Sequence, residues 1–106
     1  MPVLGELESA VMEVLWSRRV PLSVREVHDV LIRRRDLAYT TVMTVLDRLS
    51  KKAIANRELE GRAWLYSPAM SRPELFAAEI TDLLDALPAA EREDVLRRIS
   101  ASAPDS

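Results

Sequence analysis

The fifteen residues from Ala38 to Lys52, AYTTVMTVLDRLSKK, set two tendencies against each other. Five of the six residues from Thr40 to Val45 are β-branched, the type that strands favour. Wound at about 100° per residue, however, the stretch sorts cleanly by face. Ala38, Val42, Val45, Leu46 and Leu49 gather on one side, and Thr40, Thr41, Thr44, Arg48 and Lys51 on the other. A strand would mix Thr40 and Thr44 with Val42 and Leu46 on one face. Propensity differences amount to a few tenths of a kcal/mol per residue, so periodicity decides. The spacing predicts a helix over about 39–52.

The rest of the chain falls into place around it. Leu4, Leu7, Val11, Val14 and Leu15 carry a helical stripe that begins near Gly5 and ends at Arg18-Arg19, before Pro21. Val20 and Leu22 flank that proline and suit a very short extended piece. Ser23-Val24-Arg25-Glu26 has capping-box spacing, so a second helix is predicted over about 23–34, ending in Arg33-Arg34-Arg35. Past the third helix, Asn56–Tyr66 reads as a hairpin with its tip near Glu60-Gly61, closed by Pro68. Ser71-Arg72-Pro73-Glu74 repeats the capping box. It leads a helix from Leu75 to Leu87, with Phe76, Ile80, Leu83 and Leu87 spaced 4-3-4. Pro88 interrupts, and a last helix is expected from Glu91 to Ala101 around Val95, Leu96 and Ile99.

The predicted class is therefore mainly α with a small β-hairpin: a winged helix-turn-helix over residues 1–70 and a helical extension over 71–106. With 106 residues and 48% hydrophobic content, the chain can bury a core without staples. It has no cysteine, which excludes a disulfide framework, cysteine-based metal sites and thiol catalysis. Its apolar runs are too short to span a bilayer and no signal sequence opens it, so a cytoplasmic protein is expected.

Charge is distributed unevenly. The net value is −2, yet residues 33–62 hold 8 Lys+Arg against 4 Asp+Glu, and residues 71–106 hold 4 against 8. Positive charge in the middle and negative charge in the tail point to an anionic partner for the middle.

Candidate chemistry follows the same line. The lone histidine, His28, has no cysteine, phosphate loop or second histidine beside it, so no catalytic constellation is legible, and no metal or cofactor is implied. Arg33-Arg34-Arg35 suits either phosphate contact or a helix C-terminus. The outer face of the third helix is more specific. Short hydroxyl side chains let a helix approach base edges, and a threonine methyl can touch a thymine methyl. Arg48, Lys51 and Lys52 lie one and two turns later, in reach of phosphates. A merely solvated face would favour Glu, Lys, Gln or Ala over threonine. Asp47 shares this outer side and opposes a phosphate partner, unless it accepts from cytosine or pairs with Lys51. In the hairpin, Arg62 suits backbone contact, whereas Trp64, Leu65 and Tyr66 read as core cover and strand pairing rather than base-stacking groups. The stripe Leu75, Phe76, Ile80, Leu83, Leu84 and Leu87, with Val95, Leu96 and Ile99, has little to pack on within one small domain. Dimerisation is its expected use.

Three motifs agree in order and spacing with one family. Residues 37–52, Leu4-Gly5-Glu6-Leu7-Glu8 and Gly61-Arg62-Ala63-Trp64-Leu65-Tyr66-Ser67-Pro68 resemble the penicillinase-repressor (BlaI/MecI) transcriptional regulators. The resemblance implies a homodimeric repressor with an N-terminal winged helix and a C-terminal dimerisation region, bound to an inverted-repeat operator. It implies that the third helix enters the major groove, with Thr41 and Thr44 at base edges and Thr40, Arg48, Lys51 and Lys52 in support. There are departures. Antibiotic-responsive members carry a segment between their C-terminal helices that a membrane-bound sensor protease cuts; here Leu87-Pro88-Ala89-Ala90 joins the helices directly, which argues against that protease as a partner. Copper-responsive relatives use C-terminal cysteines, absent here. Ala53 stands where many relatives have glycine, at the turn into the wing. The rival reading is a winged-helix interaction module without DNA binding, which calls for large apolar anchors on the third-helix face.

Overall fold

The computed structural model describes residues 4–102. In chain order the elements are α1 (Glu6–Ser17), β1 (Leu22–Ser23), α2 (Val24–Leu31), α3 (Tyr39–Lys51), β2 (Ala55–Glu60), β3 (Ala63–Pro68), α4 (Arg72–Asp85) and α5 (Ala89–Ser102). They divide into two compact units, one spanning Leu4–Leu75 and the other beginning at Phe76.

The first unit is a winged helix-turn-helix. Its core takes one stripe from each helix: Val11, Met12, Val14 and Leu15 from α1, Val24, Val27 and Leu31 from α2, and Val42, Val45, Leu46 and Leu49 from α3. Leu22, Ile54, Ala55 and Tyr66 close it from the sheet side. The capping box before α2 is formed as read. Glu26 N–H donates to Ser23 Oγ at 3.2 Å, and Ser23 N–H donates to Glu26 Oε1 at 2.9 Å. The same reciprocal pair joins Ser71 and Glu74 before α4 (3.2 and 3.0 Å).

The very short extended piece expected at Leu22 is present as a strand; Leu22 pairs with Tyr66 and Ser23 with Leu65, so the hairpin gains a third strand and becomes an antiparallel sheet of order β1-β3-β2. Three expectations are corrected. The hairpin tip lies one residue later than expected. Glu60 pairs with Ala63, leaving Gly61-Arg62 as the loop, with Gly61 at φ 63°. A glycine at the first central position is what tight hairpin turns of the II′ kind require. Ala38 is an exposed N-cap rather than part of the buried stripe of α3. Lastly, α2 stops at Leu31, and α4 starts at Arg72 and ends at Asp85.

The exit from α3 is built with care for backbone groups. Ala53 N–H donates to Ser50 O (3.1 Å) and Ile54 N–H to Leu49 O (3.0 Å). These are the two bonds of a Schellman closure, with its usual apolar contact between the flanking residues supplied by buried Ile54 and Leu49. The closure forces Ala53 to φ 61°, a left-handed conformation that costs a residue with a Cβ roughly 1–2 kcal/mol. The other end of the unit is tied by Glu8. Gly5 N–H donates to Glu8 Oε1 (3.1 Å), and Lys52 Nζ donates to Glu8 Oε2 (2.8 Å), joining the start of α1 to the end of α3. Burial pushes the Glu8 carboxyl up, but the Lys52 and Gly5 hydrogen bonds and the charges of Lys52 and Arg48 outweigh it and hold the group below its usual range.

Two predictions follow from these ends. Ala53→Gly should raise stability by roughly 1 kcal/mol, because glycine relieves the positive φ by more than its unfolded-state entropy costs. The measure is the urea midpoint at unchanged slope, and a lowered midpoint would contradict it. A lowered folded-state pKa means that the folded chain binds fewer protons than the unfolded one, so the contribution of Glu8 is complete above the ordinary carboxylate value of about 4.3 and fades as pH falls through the lowered one. Glu8→Gln should thus be less stable than the parent at neutral pH, with the gap closing in acid. A gap independent of pH would exclude this ion pair as its source.

Candidate nucleic-acid interface

Because Val42, Val45, Leu46 and Leu49 are at most 5% exposed, α3 cannot rotate, and its opposite face is fixed outward. Thr40, Met43, Thr44, Arg48 and Lys51 are exposed there, while Thr41 and Asp47 are half-buried at its edges. From Thr40 to Lys51 the stripe runs about 16 Å, a length suited to a major groove of roughly 12 Å width. Thr44 Oγ1 donates to the Thr40 carbonyl at 2.9 Å. Its hydroxyl proton is thereby spent within the helix, and the side chain offers its methyl and acceptor lone pairs outward.

The cations are not equivalent. Lys51 Nζ lies 3.0 Å from Asp47 Oδ2, and Arg57 Nη1 lies 3.7 Å from Asp47 Oδ1. The Arg57 guanidinium stacks 4.1 Å over the Trp64 ring. Lys52 is drawn away from the stripe toward Glu8. Arg35 pairs with Glu6 at 3.1 Å, while Arg33 and Arg34 sit exposed in the turn after α2. Arg62 is exposed at the hairpin tip.

The entry to α3 is set by His28. Its Nε2 lies 2.7 Å from the Leu37 carbonyl. A carbonyl only accepts, so Nε2 carries the proton and donates. The ring also meets Tyr39 edge-on, with centroids 5.8 Å apart. Both contacts brace the connection from α2 to α3, which makes His28 a positioning residue in the fold. Among the described residues no group of three or more His, Asp or Glu side chains is arranged to hold a metal, and no helix is long and apolar enough to cross a membrane.

The sequence reading missed two features. The first is the Asp47, Arg57 and Trp64 cluster. In the hairpin register Arg57 opposes Tyr66 and Leu59 opposes Trp64, so Arg57 and Trp64 are diagonal neighbours on one face. That pairing was legible once the turn was set at Gly61-Arg62. The second is an open groove of about 900 Å³ between α2, α3 and the wing, lined by Arg25, His28, Ile32, Tyr39, Met43, Arg62 and Trp64 among others. Trp64 is 40% exposed beside it and so is not core cover, whereas Tyr66, at 2%, is.

The expected dimerisation residues divide. Leu75 is corrected: it is 3% exposed and belongs to the core of the first unit. The start of α4 is secured there by an ion pair of Arg72 with Glu13, by Arg72 over the Trp16 ring (5.0 Å), and by Trp16 Nε1–H donating to the Met70 carbonyl (2.9 Å). In the second unit Phe76, Ile80 and Leu83 on α4 and Leu96 and Ile99 on α5 are exposed, and Leu84, Leu87 and Val95 are half-buried. Arg92 links the two helices, its Nε donating to the Leu84 carbonyl (3.1 Å) and its Nη2 to the Leu87 carbonyl (3.0 Å). One of these carbonyls belongs to the last turn of α4 and the other to the connection that follows it, so Arg92 ties α5 to the end of α4.

The penicillinase repressor family pattern matches residues 4–105. The transcriptional regulator BlaI of Mycobacterium tuberculosis is 54% identical over 81 residues, covering 76% of this chain and 59% of that protein. The penicillinase repressor of Bacillus licheniformis is 32% identical over 68 residues, covering 64% of this chain and 52% of that one. The chain thus spans a little over half the length of these relatives. The solution structure of monomeric B. licheniformis BlaI bound to the blaP half-operator superposes with a TM-score of 0.58 at 30% identity, covering 69% of this chain and 88% of that one. By the extent of the family match and by its winged helix, the chain belongs to the penicillinase repressor family, a family of transcriptional repressors rather than enzymes.

Proposed function

We propose that this protein is a sequence-specific DNA-binding repressor that acts as a homodimer on an inverted-repeat operator, with α3 in the major groove and the wing beside the backbone. One observation carries the reading: Thr40 and Thr44 with two cations form an outward stripe, with Thr41 at its edge, on a helix whose other side is locked in the core. Each threonine costs a few tenths of a kcal/mol of helix stability relative to alanine or leucine. That cost has no return in the fold, and it has one at base edges. A 30% identical relative was solved in complex with a half-operator, which supports DNA as the partner. Thr40, Thr41 and Thr44 would face bases, and Arg48, Lys51 and Arg62 would face phosphates. Lys52 would have to leave Glu8 to join them.

The homodimer rests on the second unit. No residue of α5 is buried, and α4 and α5 together leave Phe76, Ile80, Leu83, Leu96 and Ile99 from 46 to 54% exposed. A second copy that covers this stripe would satisfy it, and two-fold symmetry would match an inverted repeat.

The groove beside α3, with Ile32, Tyr39, Met43 and Trp64 exposed along it, is the observation that favours the rival interaction module. Salt dependence separates the two, because phosphate contacts impose a steep log–log slope and apolar docking does not.

Footprinting the protein on DNA upstream of its own gene supplies the duplex for the tests. Thr44→Ala is expected to relax preference at one base pair by about 1–3 kcal/mol. Lys51→Ala is expected to weaken binding to all sequences and flatten the salt slope by about 1. Operator affinity unmoved by either change would remove α3 from the groove. For the dimer, light scattering at tens of micromolar should give twice the chain mass, and Ile80→Glu with Leu96→Glu should halve it. A monomeric parent protein would sink the two-fold model.

A further inference from the structure

The carboxylate of Asp47 lies on the outer side of α3, where a nucleic-acid partner would make it repulsive. It is held between two cations of different elements: Lys51 on its own helix (3.0 Å) and Arg57 on β2 (3.7 Å). Arg57 cannot easily swing away, because its guanidinium is stacked over Trp64 at 4.1 Å. At 3.7 Å the Arg57 contact is an ion pair outside hydrogen-bond range. The guanidinium is thus kept in place by stacking and by the carboxylate field, with no short bond spent on it. Thr44, Asp47, Arg57 and Trp64 line one shallow hollow beside the base-facing stripe.

We infer that Asp47 stands in for a phosphate: it occupies Lys51 and Arg57 in the free protein and lowers the affinity of this face for DNA of any sequence. The inference rests on the DNA-binding reading above. A carboxylate and a phosphate offer these cations the same kind of acceptor. DNA must therefore displace an intramolecular partner before either cation gains a new one, and it must also approach the Asp47 charge. Both effects are independent of base sequence. They act on the backbone term, which dominates non-specific binding. A repressor whose cations were bare would spend longer on random DNA; one with a built-in competitor leaves it faster, while the threonine stripe still supplies the preference. Both oxygens of Asp47 face cations already, so direct reading of cytosine by this carboxylate is the less economical role.

The test uses the full chain and two fluorescent duplexes, one of arbitrary sequence and one recovered by footprinting. Asp47→Asn keeps the shape and removes the charge. It should tighten binding to both duplexes by a similar factor, roughly three- to tenfold, and steepen the log–log salt slope by about 1–2, as the two released cations become available to phosphates. Asp47→Glu keeps the charge and should stay near the parent protein. In a Lys51→Ala background the gain from Asp47→Asn should shrink, because one of the two cations is gone. Weaker binding by Asp47→Asn would overturn the inference and make Asp47 an aligner of the cations. Preference lost at a single base pair would overturn it in favour of direct readout. If the parent protein shows no salt-dependent binding to either duplex, the DNA-binding reading itself falls. If the parent binds and Asp47→Asn is indistinguishable from it, only this inference falls.

Discussion

Burial of one face of α3 is the constraint on which the rest depends. Val42, Val45, Leu46 and Leu49 pack against α1 and α2, and three of them, Val42, Leu46 and Leu49, are fully covered side chains among the largest of the core. Truncating a buried leucine of this kind costs about 2–5 kcal/mol. The exposed ion pairs around the same helix are each worth about 0–1 kcal/mol. The core therefore sets the rotation of α3, and the ion pairs only trim it. Once the rotation is set, the residues on the opposite face are committed to solvent or to a partner, and the proposed DNA contacts of this helix all lie on that face.

The same comparison of magnitudes explains the entry and exit of the helix. Neither end relies on a strong single contact. The entry uses the His28 hydrogen bond to Leu37 and the His28–Tyr39 ring contact, and the exit uses two backbone bonds around a left-handed Ala53. An alanine in that position is tolerated because Ile54 and Leu49, on either side of the closure, are both buried. Core burial offsets local strain of about 1–2 kcal/mol. The turn in turn fixes where β2 begins, and so where Arg57 meets Asp47.

What was legible in the sequence, and what was not, has a physical pattern. The helices and both serine capping boxes could be read because their signals are local and periodic. The strand-like composition of residues 40–45 gave way to facing, since tertiary packing outweighs propensity. Features that depend on pairing across the chain were not legible. The extended piece at Leu22 was legible, but its pairing with Tyr66 as a third strand was not. Leu75 looks like the first residue of an exposed stripe, and it is buried because Arg72, Trp16 and Met70 bring the start of α4 onto α1. Lys52 looks like Lys51 in sequence, but one residue is 100° of helix, enough to send it to Glu8 instead of Asp47. The hollow around Arg57 and Trp64 requires the hairpin register, which moves with a one-residue change in the turn.

The charge balance takes on a different meaning in this light. A net charge of −2 looks unsuited to a polyanion partner. In the first unit, however, several acids serve the cations: Glu6 meets Arg35, Glu8 meets Lys52, Glu13 meets Arg72, and Asp47 meets both Lys51 and Arg57. Glu6, Glu8 and Glu13 lie on α1, and their pairs hold elements together. Asp47 alone in this set lies on the stripe itself. Affinity for a polyanion is then governed less by the sum of charges than by which pairs a phosphate can open. Pairs that also carry the fold resist opening, because separating them costs structure as well as Coulomb energy. The Asp47 pairs join side chains of a face already fixed by the core, so they can exchange partners while the backbone stays where it is.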